Sequence, residues 1–176
     1  MIFRETKLRG SFIIELERLE DQRGFFARGW CKKEFESHGL ESSLVQANIS
    51  MNKERGTLRG MHYQTSPYIE TKLVRCTRGS VYDVIVDLRQ DSSTYKQWLG
   101  VKLTSDNYRM LYVPKGFAHG YQTLEDNTEL FYHVSEFYTP TAERGLLYND
   151  PAFAISWPLE VQVISDKDKS WPDYTP

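Results

Sequence analysis

The sequence predicts an all-β fold, a sandwich or barrel of the jelly-roll kind with one or a few short helices. Three observations predict it. Apolar residues alternate with period two in run after run. Turn residues break these runs at short intervals. Aromatic residues, which strands favour, make up 14% of the chain. Many short strands with little helix must bury their apolar faces on one another, which gives a sandwich or a closed barrel.

The elements follow in order. "FIIELERL" alternates Phe12, Ile14 and Leu16 against Glu15 and Glu17. "CKKEFESH", Cys31 to His38, is the one convincing helix, stopped by Gly39. "KLVRCTRGSVYDVIVDLR" reads as two strands joined at Arg78 and Gly79. In the second, Tyr82, Val84, Val86 and Leu88 share one face, and Val81, Asp83, Ile85 and Asp87 the other. "QWLGVKL", "YRMLYV" and "HGYQTL" are further strands, with Pro114 and Gly116 as punctuation before His119. A turn at Glu125 to Asn127 leads into "TELFYHVSEFY".

A length of 176 residues suits one domain spanning 1–176, and 40% hydrophobic residues suffice for its core. Lys and Arg total 22 against 24 Asp and Glu, a net charge of −2. That balance argues against nucleic acid as a partner, but a phosphorylated small molecule needs only a few placed cations. No apolar run approaches the roughly 18 residues of a membrane span. "MIFRETKLRG" is too polar for a secretory signal. Cys31 and Cys76 lack metal-type or redox spacing, so two buried thiols in a reduced, cytoplasmic protein are expected.

Several residues are candidates for chemistry. In "GTLRGMHYQ", strict alternation puts Leu58, Gly60, His62 and Gln64 on one face and Arg59, Met61 and Tyr63 on the other. A bulge at Gly60 would bring Arg59 and His62 together; otherwise His62 is equally a packed core histidine. Pro114-x-Gly116-x-x-His119 is similar to half of the cupin metal signature. The other half is missing, and His62 and His119 alone make no metal site, so none is expected. In "ELFYHV", Tyr132 shares its face with Leu130 and Val134, leaving His133 outside. Taken alone, "ISDKDKSW" is a solvated charged tail holding Asp166 and Asp168.

Taken in order, "RGFF", "QANIS", "LRGMHYQ", "TKLVRCTRGSVYDVIVDLR", "VPKGFAHGY", "ELFYH" and "SDKD" resemble the dTDP-4-dehydrorhamnose 3,5-epimerase family from about Arg23 to Asp168. The resemblance implies a cupin-type jelly roll, a homodimer, no cofactor and no metal. It implies that His62 is the catalytic histidine, Asp168 its carboxylate partner, Tyr132 the acid, and that Lys72 lies near the sugar carbonyl. It puts Arg23, Gln46, Asn48, Arg59, His119, Glu143 and Lys167 at ligand-contacting positions, and Tyr138 against the nucleotide base. Arg28 stands at a ligand-side position where the family often has glutamate; Ile49 and His133 also depart from the family pattern.

The implied substrate is a dTDP-4-keto-6-deoxy-hexose, inverted at C3, C5 or both. Loss of a proton beside C4=O gives an enolate, and a proton returns from the opposite face. Imidazole, titrating near about 6.5, suits the first role, and a phenol near about 10 suits the second. A carboxylate on the other ring nitrogen fixes the tautomer. A cation such as Lys72 answers the charge on O4. The alternatives are a metal-dependent cupin isomerase or oxygenase, a single-position epimerase on another nucleotide-sugar, and a non-catalytic sugar-binding jelly roll.

Overall fold

The computed structural model describes residues 1–175. Six strands form one antiparallel sheet in the order β1 (Ile2–Glu5), β2 (Phe12–Glu15), β10 (Met110–Val113), β7 (Lys72–Arg78), β12 (Thr128–Val134) and β5 (Gln46–Asn52). Five form the second, in the order β13 (Glu143–Gly145), β6 (Leu58–Gln64), β11 (Phe117–Thr123), β8 (Ser80–Asp87) and β9 (Trp98–Thr104). β3 (Leu19–Asp21) and β4 (Gly24–Phe26) make a separate hairpin, and two short helices, α1 (Lys32–Ser37) and α2 (Asp166–Lys169), complete the fold.

The two sheets pack face to face. Val74, Cys76, Leu111 and Leu130 from the first meet Val81, Ile85, Leu103 and Phe117 from the second in one buried cluster. The chain crosses between sheets at Gly79, so the expected junction of β7 and β8 joins opposite layers rather than neighbours. β8 is buried on both faces, as its two apolar sets require: Val81 and Ile85 point into the sandwich, while Val84 and Val86 meet Phe153 and Ile155 behind it.

The remaining outer face is covered by α1. Phe35 is fully buried there among Ile14, Leu73, Met110 and Tyr112, a burial that contributes about 2 kcal/mol. Gly39 follows the helix as expected, with Gly39 N–H on the Glu36 carbonyl and Leu40 N–H on that of Phe35, two nested bonds that close the last turn. The alternation of Phe12, Ile14 and Leu16 therefore faces the helix layer, while Ile13 faces the sandwich. The expected long strand is interrupted after Glu15, and its continuation turns out into the β3–β4 hairpin.

Cys76 is buried and Cys31 half-buried, both as free thiols. Burial pushes the Cys76 thiol up to about 11. No helix among the described residues is long and apolar enough to cross a membrane.

Candidate active site

The interior of the sandwich is not apolar throughout. At one end, residues with the same inward parity as the core carry polar side chains. On β7, Lys72 precedes Val74 and Cys76 at the same parity; on β12, Tyr132 lies between Leu130 and Val134; on β5, Gln46, Asn48 and Ser50 alternate with the exposed Ala47, Ile49 and Met51. Tyr132 is the cross-strand partner of Asn48. His133 points outward beside Phe131, as its parity predicts.

The five-stranded sheet supplies the other wall. His119 on β11 is the register partner of His62 on β6, and two positions further along β11 Tyr121 pairs with Arg59, three positions back on β6. One extra residue on β6 is thus taken up in a bulge at Gly60 and Met61. Gly60 holds φ at +109°, and a Cβ on it would lie 2.6 Å from the Gly120 Cα, so only glycine fits. The bulge resets the alternation. Arg59 and His62 both reach the interior, and they share a cavity of about 230 Å³ with Ser50, Lys72, His119, Tyr121 and Tyr132.

His62 Nε2 lies 2.7 Å from Asp168 Oδ1. The carboxylate comes from α2, which the sequence alone left as a charged tail. Ser165 caps it, accepting the Asp168 N–H at 3.1 Å, and the second carboxylate oxygen accepts the Gly60 N–H at 3.2 Å. Burial pushes the Asp168 carboxyl up, but the His62 bond and charge and the Gly60 N–H outweigh it and hold it below its ordinary value. An ionised Asp168 only accepts, so Nε2 carries the hydrogen and Nδ1 is left with the lone pair.

A second histidine–carboxylate pair stands beside it. His119 Nε2 lies 2.9 and 3.1 Å from the two oxygens of Asp83, which is fully buried. Lys72 Nζ is 2.9 Å from Glu70 Oε1, both side chains nearly enclosed. Arg59 donates through Nε to Asn52 Oδ1 at 2.7 Å. Tyr121 OH meets Ser50 Oγ at 2.7 Å, and burial pushes its phenol above the ordinary value.

At the rim, Tyr138 OH and Lys167 Nζ each donate to Glu143 Oε2 at 2.6 Å, while Gln46 Oε1 accepts the Tyr138 N–H at 3.2 Å. Lys167 and Asp168 also line a second cavity of about 330 Å³ that shares Arg59 and His62 with the first. Burial pushes the Glu143 carboxyl up, yet its bonds to Lys167 and Tyr138 bring it below the ordinary value.

Two residues expected at ligand-contacting positions, Arg23 and Arg28, do not line the cavity that holds His62. Arg23 sits on the β3–β4 hairpin, where Asp21 accepts from its backbone N–H and guanidinium, and its side chain is 89% exposed. Arg28 pairs with Glu34 at 2.8 Å and lines a different cavity with Met1, Leu19 and Phe26. The hairpin is a separate two-stranded sheet whose Phe25 packs edge-on against Tyr108, and each guanidinium has a local carboxylate.

Sequence reasoning missed Glu70, Asp83, Asn52 and Tyr121. Asp83 did leave a signal: a carboxylate on the apolar face of Val81 and Ile85 needs a buried partner. Among the described residues, no group of three or more His, Cys, Asp or Glu side chains is placed to hold a metal ion; the two interior histidines are engaged by carboxylates.

Two antiparallel sheets closing over polar groups from both layers define a cupin-like jelly roll. The model of the dTDP-4-dehydrorhamnose 3,5-epimerase family matches residues 5–175. The Methanothermobacter thermautotrophicus dTDP-4-dehydrorhamnose 3,5-epimerase is 43% identical over 172 residues, 96% of this chain and 92% of that protein. The crystal structure of the Bacillus anthracis dTDP-4-dehydrorhamnose 3,5-epimerase with TDP and PPi bound superposes with a TM-score of 0.93 at 45% identity, covering 97% of this chain and 98% of that one. That of the Legionella pneumophila dTDP-6-deoxy-D-glucose-3,5-epimerase in complex with dTDP-4-keto-L-rhamnose gives a TM-score of 0.88 at 40% identity, covering 95% and 89%. The chain belongs to the dTDP-4-dehydrorhamnose 3,5-epimerase family, and so to the isomerases.

Proposed function

We propose that the protein is a single-domain cytoplasmic epimerase that inverts C3, C5 or both of a dTDP-4-keto-6-deoxy-hexose without a cofactor. One observation carries the mechanism: His62 from one sheet and Tyr132 from the other line the same cavity. Inversion needs a base and an acid on opposite faces of the sugar, and opposite walls of a sandwich supply them.

In this reading His62 Nδ1 takes the proton beside C4=O. Asp168 holds the imidazole through Nε2 and stabilises the imidazolium that forms. Lys72 answers the charge growing on O4. Its ammonium has three donors, so the bond to Glu70 leaves two for the substrate. Tyr132 returns a proton from the far wall. Arg59 and His119 contact the sugar and diphosphate, with Asn48 and Gln46 beside them on β5. At the rim Tyr138 takes the base, flanked by Glu143 and Lys167.

The protein acts as a homodimer. The edge strand β5 exposes Ile49 and Met51, with Val45 just before it, and the hairpin exposes Leu19 and Phe26, apolar side chains that a second copy would cover. Arg23 and Arg28, remote from their own pocket, then serve as ligand contacts only if a second copy receives the hairpin.

Incubation with a dTDP-4-keto-6-deoxy-hexose in heavy water, followed by NMR, tests the reading. Deuterium is expected at each inverted carbon, and its absence at both C3 and C5 overturns the assignment. Tyr132→Phe is expected to keep proton removal and lose inversion. Inversion at the wild-type rate in that variant would move the acid elsewhere.

A further inference from the structure

We infer that Trp171 is a positioning residue that seats the Asp168 carboxylate against His62. The inference rests on the reading of that pair as the acid–base machinery, and it concerns how a four-residue helix can deliver a carboxylate accurately.

α2 is one turn long, too short to hold itself in place. Its position must come from the chain on either side. Before it, Val163 forms a parallel bridge with Thr57, and its carbonyl accepts the Leu58 N–H at 2.8 Å. These contacts tie the approach to the start of β6. After it comes Trp171, three residues beyond Asp168.

The indole is seated by shape. A Cβ placed on Gly145 would lie 2.2 Å from the indole Cε2 and Nε1, so the ring occupies the space that any other residue at 145 would fill. Gly145 is the cross-strand partner of His62. The indole also meets the imidazole directly, with ring centroids 6.3 Å apart and planes at 71°, an edge-to-face contact. Lys167 Nζ lies 5.7 Å over the same ring. The indole N–H is buried with no hydrogen-bond partner among the described residues, so shape rather than hydrogen bonding accounts for the seat. One side chain on the segment carrying the carboxylate therefore meets both the imidazole and the strand paired beside it.

Trp171→Ala and Gly145→Ala attack this seat from its two sides. Each is expected to lower kcat about ten- to a hundredfold, the scale of an ångström-size misplacement of a reacting group, with KM changing much less. Each is also expected to shift or broaden the downfield proton resonance of His62 Nε2, which reports the bond to Asp168 without turnover. Trp171→Phe, which keeps an aromatic ring on Gly145, is expected to recover most of both. Gly145→Ala serves where Trp171→Ala fails to fold. Either alanine variant, folded, with wild-type kcat and an unchanged Nε2 resonance overturns the inference. Should wild-type protein catalyse no exchange, the epimerase reading falls, and the resonance alone still decides whether Trp171 seats the carboxylate.

Discussion

Two histidines face each other across β6 and β11, each with Nε2 on a carboxylate, yet the pairs are built differently. Asp83 stands on β8, the next strand of the same sheet, and is wholly enclosed; the His119 side chain is 9% exposed. Asp168 arrives from a one-turn helix 106 residues along the chain, and His62 is 30% exposed. A pair locked inside a ladder holds its geometry through the fold itself. A pair formed between a strand and a tethered helix leaves its imidazole the more exposed of the two. The first resembles a fixture that shapes the pocket wall, and the second a working group.

Substitutions can break that contrast. The largest effect is expected from His62→Ala: deuterium incorporation from solvent should vanish at every inverted carbon, while affinity for the nucleotide-sugar changes only a few-fold. Its melting temperature should fall little, since water from the cavity can reach Asp168, which keeps the Gly60 N–H. Asp168→Asn should cost on the order of 10²–10³ in kcat, because an amide no longer fixes the tautomer or answers the imidazolium. A wild-type rate would make the helix a bystander.

His119→Ala should add a loss of stability that His62→Ala does not show. It leaves Asp83 buried without its partner, a loss of about 3–5 kcal/mol, or about 10 °C in thermal melting for a chain of this size. Equal melting temperatures for the two alanine variants would erase the distinction between fixture and working group.

The smallest effect is in acid. The folded state holds Asp168 below its ordinary value of 3.8. Its pairing therefore stabilises the protein above that pH and is lost as pH falls through the depressed value. Asp168→Asn should flatten this part of the acid-unfolding curve, measured by circular dichroism, because it has already lost the pairing's contribution throughout the neutral range.

Much of the site was legible before any coordinates, for identifiable reasons. Parity put Tyr132 inside and His133 outside because β12 is regular, with Leu130 and Val134 marking the inner face. The glycine in "LRGMH" flagged a place where alternation fails, and the bulge there joins Arg59 to His62. Asp168 was not readable from its surroundings, since a carboxylate among lysines near the chain's end looks solvated; only the family resemblance singled it out. The resemblance also pointed to Arg23 and Arg28, which pair with Asp21 and Glu34 outside the cavity that holds His62.

The sequence by itself determined most of the central strands, the alternation of their faces and the residue types that chemistry at a ketone requires, because alternation and glycine placement are local properties of the chain. Tertiary structure alone decided which side chains meet: that His62 and Tyr132 stand on opposite walls of one cavity, that Asp83 and Asp168 each receive a histidine, and that an indole fills the gap over Gly145. Those contacts join residues tens of positions apart through the stacking of two sheets, and no periodicity within a single strand encodes them.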